Sequence, residues 1–309
     1  MTAPILRRLA EMRALTARWR AAGESIAVVP TMGALHRGHL SLVEAAKAQC
    51  DRVVVWIFVN PKQFNNPEDL ENYPRTEHED AEKLAPFAVD AVYAPDVDQV
   101  YPDGFATNVT VAGLTDVLCG AHRPGHFDGV ATVVSKIFLQ TGADRAYFGE
   151  KDFQQLQVVR RMARDLDIPI EVVACPTVRE PSGLALSSRN LRLSEAGLAQ
   201  AAQLYPVLRD VAAELADGSR FPPLAERARA RLAEAGFSEV EYFELRGEDG
   251  LQALDHPDRP ARIFAAAGAT GIAAVKGGSG GSSAAPGFGS KTRGSARLPR
   301  PLVKGRFGS

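Results

Sequence analysis

Short apolar runs at residues 26–29, 53–59, 89–93, 146–148 and 170–175 read as strands. Between several of them, at 40–49, 77–84, 130–140 and 154–166, apolar positions recur three and four apart, as on helices. The run Val53-Val54-Val55-Trp56-Ile57-Phe58-Val59 has no polar position, the pattern of a strand covered on both faces of a parallel sheet. This alternation predicts an α/β fold, a Rossmann-like doubly wound parallel sheet. Ligands of such sheets sit beyond the carboxyl ends of the strands, which here carry the turns at 30–39, 60–64, 148–152 and 177–179. Near the amino end, Ile5, Leu9, Met12 and Leu15 fall at helical spacing and predict an amphipathic surface helix.

Beyond about residue 180 the texture changes. Ala/Leu/Arg/Glu-rich helical stretches at 194–216 and 224–235 precede strand-like runs at 240–245 and 261–266, which predicts a smaller α+β domain. The expected division is 1–178, a Rossmann-like domain, then 179–267, a small lid domain. Residues 268–309 form a Gly-rich basic tail with too little apolar area to offset the entropy of ordering it, so the tail is expected to be disordered.

Composition narrows the function classes. A chain of 309 residues with 45% hydrophobic content can build two cores. A net charge of −1 speaks against a general nucleic-acid binder, and the seven Lys/Arg of residues 268–309, with no acid among them, leave −8 on residues 1–267. Cys50, Cys119 and Cys175 show no CxxC spacing, so neither a disulfide framework nor a zinc site is expected. No apolar run approaches a membrane span and the amino end has no signal-peptide core, so a cytoplasmic protein without a membrane partner is expected.

The chemistry concentrates in Pro30-Thr31-Met32-Gly33-Ala34-Leu35-His36-Arg37-Gly38-His39, which joins a strand to a helix. A helix start offers backbone N–H groups and the positive end of the macrodipole, and Gly33 and Gly38 let a ligand approach the backbone closely. His36 and His39, three apart, can face one side of the first turn and donate to phosphate oxygens.

This turn is followed, in order, by six further blocks. They are Ile57-Phe58-Val59-Asn60-Pro61-Lys62-Gln63-Phe64, Tyr73-Pro74-Arg75-Thr76, Tyr101-Pro102-Asp103-Gly104, Arg123-Pro124-Gly125-His126-Phe127-Asp128-Gly129-Val130, Phe148-Gly149-Glu150-Lys151-Asp152-Phe153-Gln154-Gln155-Leu156 and Ser187-Ser188-Arg189-Asn190. Together, over about residues 3–267, they closely resemble the pantothenate synthetase (pantoate–β-alanine ligase) family of the nucleotidylyl transferase superfamily. The resemblance implies condensation of pantoate with β-alanine through a pantoyl adenylate, with release of pyrophosphate and then AMP. ATP would be a substrate, handled with Mg2+ and without a protein-built metal site, and the protein would be a homodimer.

By the same resemblance, Met32, Gly33, Ala34, Leu35, His36, Arg37, Gly38 and His39 form part of the ATP site, with His39 as proton donor to the reacting phosphates. Gly149, Glu150, Lys151 and Asp152 line the nucleotide, Lys151 meeting phosphate and Asp152 nearer the ribose. Val178 contacts adenine, and Leu186, Ser187, Ser188 and Arg189 close over the phosphates. Gln63 and Gln155 bind pantoate, Gln63 also touching β-alanine. His36, His39, Lys151 and Arg189 are the catalytic candidates. These are donors and cations of the kind that an in-line displacement at phosphorus needs, since such a reaction asks for positioning and charge neutralisation. His126 and Asp128 are expected as a loop and helix cap near pantoate, Asp128 capping a helix that begins at Gly129 or Val130. Tyr73 and Arg123 are expected only as supporting residues.

Two departures from the family pattern stand out. Leu186 occupies a position where methionine is common, a volume-conserving change. After Arg262-Ile263-Phe264-Ala265-Ala266-Ala267, family members continue with an arginine-containing turn and a further strand, where this chain has Gly268-Ala269-Thr270-Gly271. A second domain lacking its last strand, with residues 261–266 as an unpaired edge, is therefore expected. The alternatives are a catalytically impaired nucleotide-binding homologue, another nucleotidylyl transferase, or an RNA-associating module using the basic tail.

Overall fold

The computed structural model describes residues 2–268 and 291–298, and the chain forms two compact units, Met1–Val178 and Arg179–Ser309. The first holds a six-stranded sheet of β1 (Ile5–Leu6), β2 (Ile26–Thr31), β3 (Arg52–Ile57), β4 (Ala91–Tyr93), β5 (Arg145–Gly149) and β6 (Glu171–Cys175). Their order is β1-β4-β3-β2-β5-β6 and every pairing is parallel. From β2 the chain steps outward through β3 and β4, then returns to lay β5 on the other side of β2. The order therefore reverses between β2 and β5, where an open parallel sheet leaves a crevice at its carboxyl end.

Burial follows the apolar pattern. Val28, Val29, Val53, Val54 and Val55 are fully buried, as a strand covered by helices on both faces requires. Ala27, Val29, Val53, Val55 and Tyr147 share one core with Val43 and Ala46 of the helix Arg37–Lys47. The helix predicted at 77–84 is Glu77–Leu84, and those predicted at 130–140 and 154–166 are His126–Thr141 and Phe153–Asp165.

At the amino end the structure corrects the sequence reading. Ile5 lies in β1, paired with Val92, and the helix is Leu9–Ala21, with Met12, Thr16 and Trp19 turned inward. A two-residue strand leaves no periodicity to detect. Asp128 is not a helix cap either, because the helix starts two residues earlier behind Gly125, whose φ of 76° a glycine accepts without strain.

The second unit packs the helices Glu195–Ala202, Leu204–Ala216 and Phe221–Glu234 with an antiparallel sheet of β7 (Glu239–Gly247), β8 (Ala261–Gly268) and β9 (Lys291–Arg297). The single helical stretch expected at 194–216 is broken at Gln203. The expected missing strand is also corrected. β9 pairs along the whole of β8, from Arg262 opposite Arg297 to Gly268 opposite Lys291, so β8 is central and buried throughout. The expectation of disorder thus fails at 291–298, while 269–290 and 299–309 lie outside the described residues. The physical reason is that a ladder is made by backbone groups and does not require an apolar strand. Small residues even help here, since a Cβ at Gly294 would stand 3.0 Å from Leu208 Cδ1, and Leu298 at the strand's end joins the core.

Candidate active site

The turn after β2 is fixed from several sides. Thr31 Oγ1 donates to the Trp56 carbonyl (2.9 Å) and accepts the Gly33 N–H (3.2 Å). Gly33 has φ 81° and Ala34, unusually for a residue with a Cβ, φ 49°. Fully buried Asp80 holds this bend: Oδ1 accepts the Leu35 N–H at 2.7 Å and Oδ2 accepts from Thr76 Oγ1 at 3.1 Å. Asp80 escapes sequence reading because it is one acid among several in Glu77–Leu84 and its partner Leu35 lies 45 residues away.

His36 caps the helix Arg37–Lys47. Its Nδ1 accepts the Gly38 N–H (3.1 Å), and His39 Nδ1 lies 3.4 Å from the His36 N–H. Each ring thus uses Nδ1 as an acceptor, which assigns the proton of each neutral imidazole to Nε2. The rings stack with centroids 4.0 Å apart. Burial, then Lys151 and Lys83, lowers the His36 pKa to about 4. Burial, His36 and Lys151 lower that of His39 to about 3, only partly opposed by Asp152. Two backbone donors at the helix start are therefore taken up by imidazoles, and the neutral rings offer Nε2–H in their place. Lys83, on Glu77–Leu84, is a further cation that sequence reading missed.

Lys151 and Asp152 follow β5, the other side of the reversal, in the short helix Glu150–Asp152 after Gly149, and Lys151 Nζ lies 3.4 Å from Asp152 Oδ2. The structure thus brings together His36, His39, Lys151 and Asp152 across the β2–β5 crevice. Val178, half-buried, is the last residue of this unit.

Gln63 sits in the short helix Pro61–Gln63 beyond β3. Its Nε2 donates to Met32 Sδ (3.0 Å), and its Oε1 accepts from Asn60 Nδ2 (3.1 Å). Asn60, 1% exposed, also donates to the Gly129 carbonyl (3.0 Å) and accepts from Tyr101 OH (2.7 Å). Gln63 therefore bridges the turns after β2 and β3. Gln155 is half-buried at the start of Phe153–Asp165. Its neighbour Gln154 is committed to structure, accepting from Cys119 N and donating to the carbonyls of Leu114 and Val117.

Leu186, Ser187, Ser188 and Arg189 belong to the second unit. Ser187 Oγ accepts the Arg189 N–H at 3.3 Å and so caps the short helix Ser188–Arg192. Asn190 Nδ2 ties that helix to the Ala185 carbonyl at 3.0 Å. A separate groove in this unit, lined by Phe221, Glu226, Arg229, Phe243 and Asp255, includes none of the residues picked from the sequence.

Known proteins resemble this chain over most of its length. A family model described as pantoate-beta-alanine ligase matches residues 4–275. The chain is 69% identical over 272 residues to a pantothenate synthetase of Ruegeria pomeroyi, the match covering 88% of this chain and 95% of that protein. It is 64% identical to one from another Ruegeria species, with 88% and 97% covered. Among solved structures, pantothenate synthetase from Thermus thermophilus superposes with a TM-score of 0.84 at 39% identity, covering 96% of this chain and 100% of that one. Pantoate-beta-alanine ligase from Francisella tularensis, complexed with beta-gamma ATP and beta-alanine, superposes at 0.75 with 32% identity, covering 96% and 97%.

Proposed function

The chain belongs to the pantoate–β-alanine ligase family, and from that premise we propose how its residues carry out the reaction. The activity is the ATP-dependent ligation of pantoate and β-alanine. In the first step a pantoate carboxylate oxygen attacks the α-phosphorus of ATP, the bond to the β-phosphate oxygen breaks, and pyrophosphate leaves. In the second the β-alanine amine attacks the acyl carbon, and AMP leaves with the oxygen that pantoate supplied.

The observation that carries the residue roles is the pair of stacked imidazoles beside Lys151 at the β2–β5 reversal. Neutral His36 and His39 donate Nε2–H to phosphate oxygens, and Lys151 offsets the charge that grows there. His39 is a hydrogen-bond donor rather than an acid, because its lowered pKa leaves it unprotonated at neutral pH. Met32, Gly33, Ala34, Leu35, Arg37 and Gly38 shape the nucleotide's approach, with Gly149, Glu150 and Asp152 on the opposite side and Val178 against adenine. In the second unit Ser187, Ser188 and Arg189, next to the apolar Leu186, carry hydroxyl and guanidinium donors of the kind that phosphates take. Gln63 and Gln155 bind pantoate, an amide offering both the donor and the acceptor that a hydroxy acid uses. Mg2+ enters with ATP as part of the substrate complex. We place the enzyme in the cytoplasm as a homodimer, the oligomer to be checked by sedimentation.

Pantoate labelled with 18O in its carboxylate tests the sequence of steps. One labelled oxygen is expected in AMP, and AMP free of label with labelled inorganic phosphate would mean an acyl phosphate route instead.

A further inference from the structure

The block Arg123-Pro124-Gly125-His126-Phe127-Asp128-Gly129 has no place in the chemistry above, yet two of its side chains, Arg123 and His126, converge on one atom. His126 Nδ1 lies 2.8 Å from the Gln63 carbonyl oxygen, and Arg123 Nη2 donates to the same oxygen at 3.1 Å. Arg123 Nη1 also lies 3.3 Å from His126 Nε2. A guanidinium has only donors, so Nε2 accepts, and the ring proton sits on Nδ1, where it donates to Gln63. The tautomer is fixed by its two neighbours.

The third member is Gly129. A Cβ there would stand 2.3 Å from the Lys62 carbonyl oxygen and 2.8 Å from Gln63 N, so the first turn of His126–Thr141 lies directly on the Lys62–Gln63 peptide. The Gly129 carbonyl in turn accepts from Asn60, which holds the Gln63 amide oxygen. Backbone and side chain of Gln63 are thus gripped from one helix start, although about sixty residues separate the two in sequence.

We propose that Arg123, His126 and Gly129 are positioning residues that set the Gln63 amide for the hydroxy acid, and so determine selectivity for pantoate without touching it. The proposal rests on Gln63 being the acid-binding amide. A carbonyl clamped by two donors and pressed by a helix cannot rotate, and the side chain it carries keeps its direction. A displacement of about 1 Å in such a group is enough to lower turnover by about 10²-fold.

The test is steady-state kinetics of the full chain with variants at His126, each checked by circular dichroism. His126→Ala is expected to raise KM for pantoate about tenfold or more, with KM for ATP within about twofold. In His126→Asn the side-chain amide stands where Nδ1 was and is expected to restore the parent KM. In His126→Gln the amide stands nearer Nε2, keeps the space filled, and is expected to behave like His126→Ala. In a Gln63→Ala background, His126→Ala is expected to add nothing for pantoate, because its effect runs through Gln63. Equal rises in both KM values, no rescue by asparagine, or independent effects in the double variant would overturn the proposal. Gln63→Ala with an unchanged pantoate KM would instead remove Gln63 from the acid site, a failure visible in that variant alone.

Discussion

Two histidines three residues apart are common, and what distinguishes His36 and His39 is their surroundings. Burial and two lysines keep both rings neutral, with pKa values of about 4 and 3, against about 6.5 in an unfolded chain. The unfolded state therefore binds more protons between these limits, so this part of the stability is complete above pH 6.5 and declines as pH falls below it. Trp19 and Trp56, the two tryptophans, both lie in the first unit, so their fluorescence reports its unfolding. The urea midpoint is expected to drop from pH 7 to pH 5, and less steeply in a His36→Asn/His39→Asn variant; identical slopes would show that the rings are protonated in the folded protein. Gln63→Ala is expected to weaken pantoate by about 1.5–3 kcal/mol, the range for a hydrogen bond to a charged partner. Calorimetry showing ATP weakened and pantoate unchanged would contradict that. Asp80→Ala is expected to raise KM for ATP, since the bend at Ala34 loses its anchor on Leu35. An unchanged KM would mean that the bend holds itself.

Strands and helices differ in how much of their cause is local. The all-apolar run at β3 and the spacing in Glu77–Leu84 could be read directly, because burial on two faces or on one stripe dictates side-chain type. β9 could not, since Lys291–Arg297 is polar and Gly-containing, and its place comes from the backbone edge that β8 offers it. Asp80 and the grip of Arg123 and His126 on Gln63 were hidden for a related reason. Their partners lie 45 and about 60 residues away, and no periodicity encodes such a meeting. The strand-to-helix turn itself was legible because its glycines stand between an apolar run and a helical stretch. A chain ending at Gly268 removes β9 and Leu298. The second unit is expected to lose at least about 2 kcal/mol, from the Leu298 burial alone. The tryptophan-reported midpoint is expected to move little, since β1–β6 make up the first sheet. Calorimetry in which the second unit melts as in the parent would show β9 to be dispensable.

Over the chain as a whole, the reversal of strand order between β2 and β5 decides where chemistry can occur. It sets the imidazoles of one turn near Lys151 of the other, and in the proposed reaction their Nε2–H groups meet a phosphate. If that crevice is where pantoate is adenylated, the first step must run on its own in reverse as well as forward. Exchange of labelled pyrophosphate into ATP, followed in the full chain and in His39→Ala, separates this step from amide formation. Exchange is expected to require pantoate, to proceed without β-alanine, and to fall about 10²-fold or more in the variant, as on losing one preorganised donor. Exchange that ignores pantoate, or that is equal in His39→Ala and the parent chain, would contradict adenylation at this crevice.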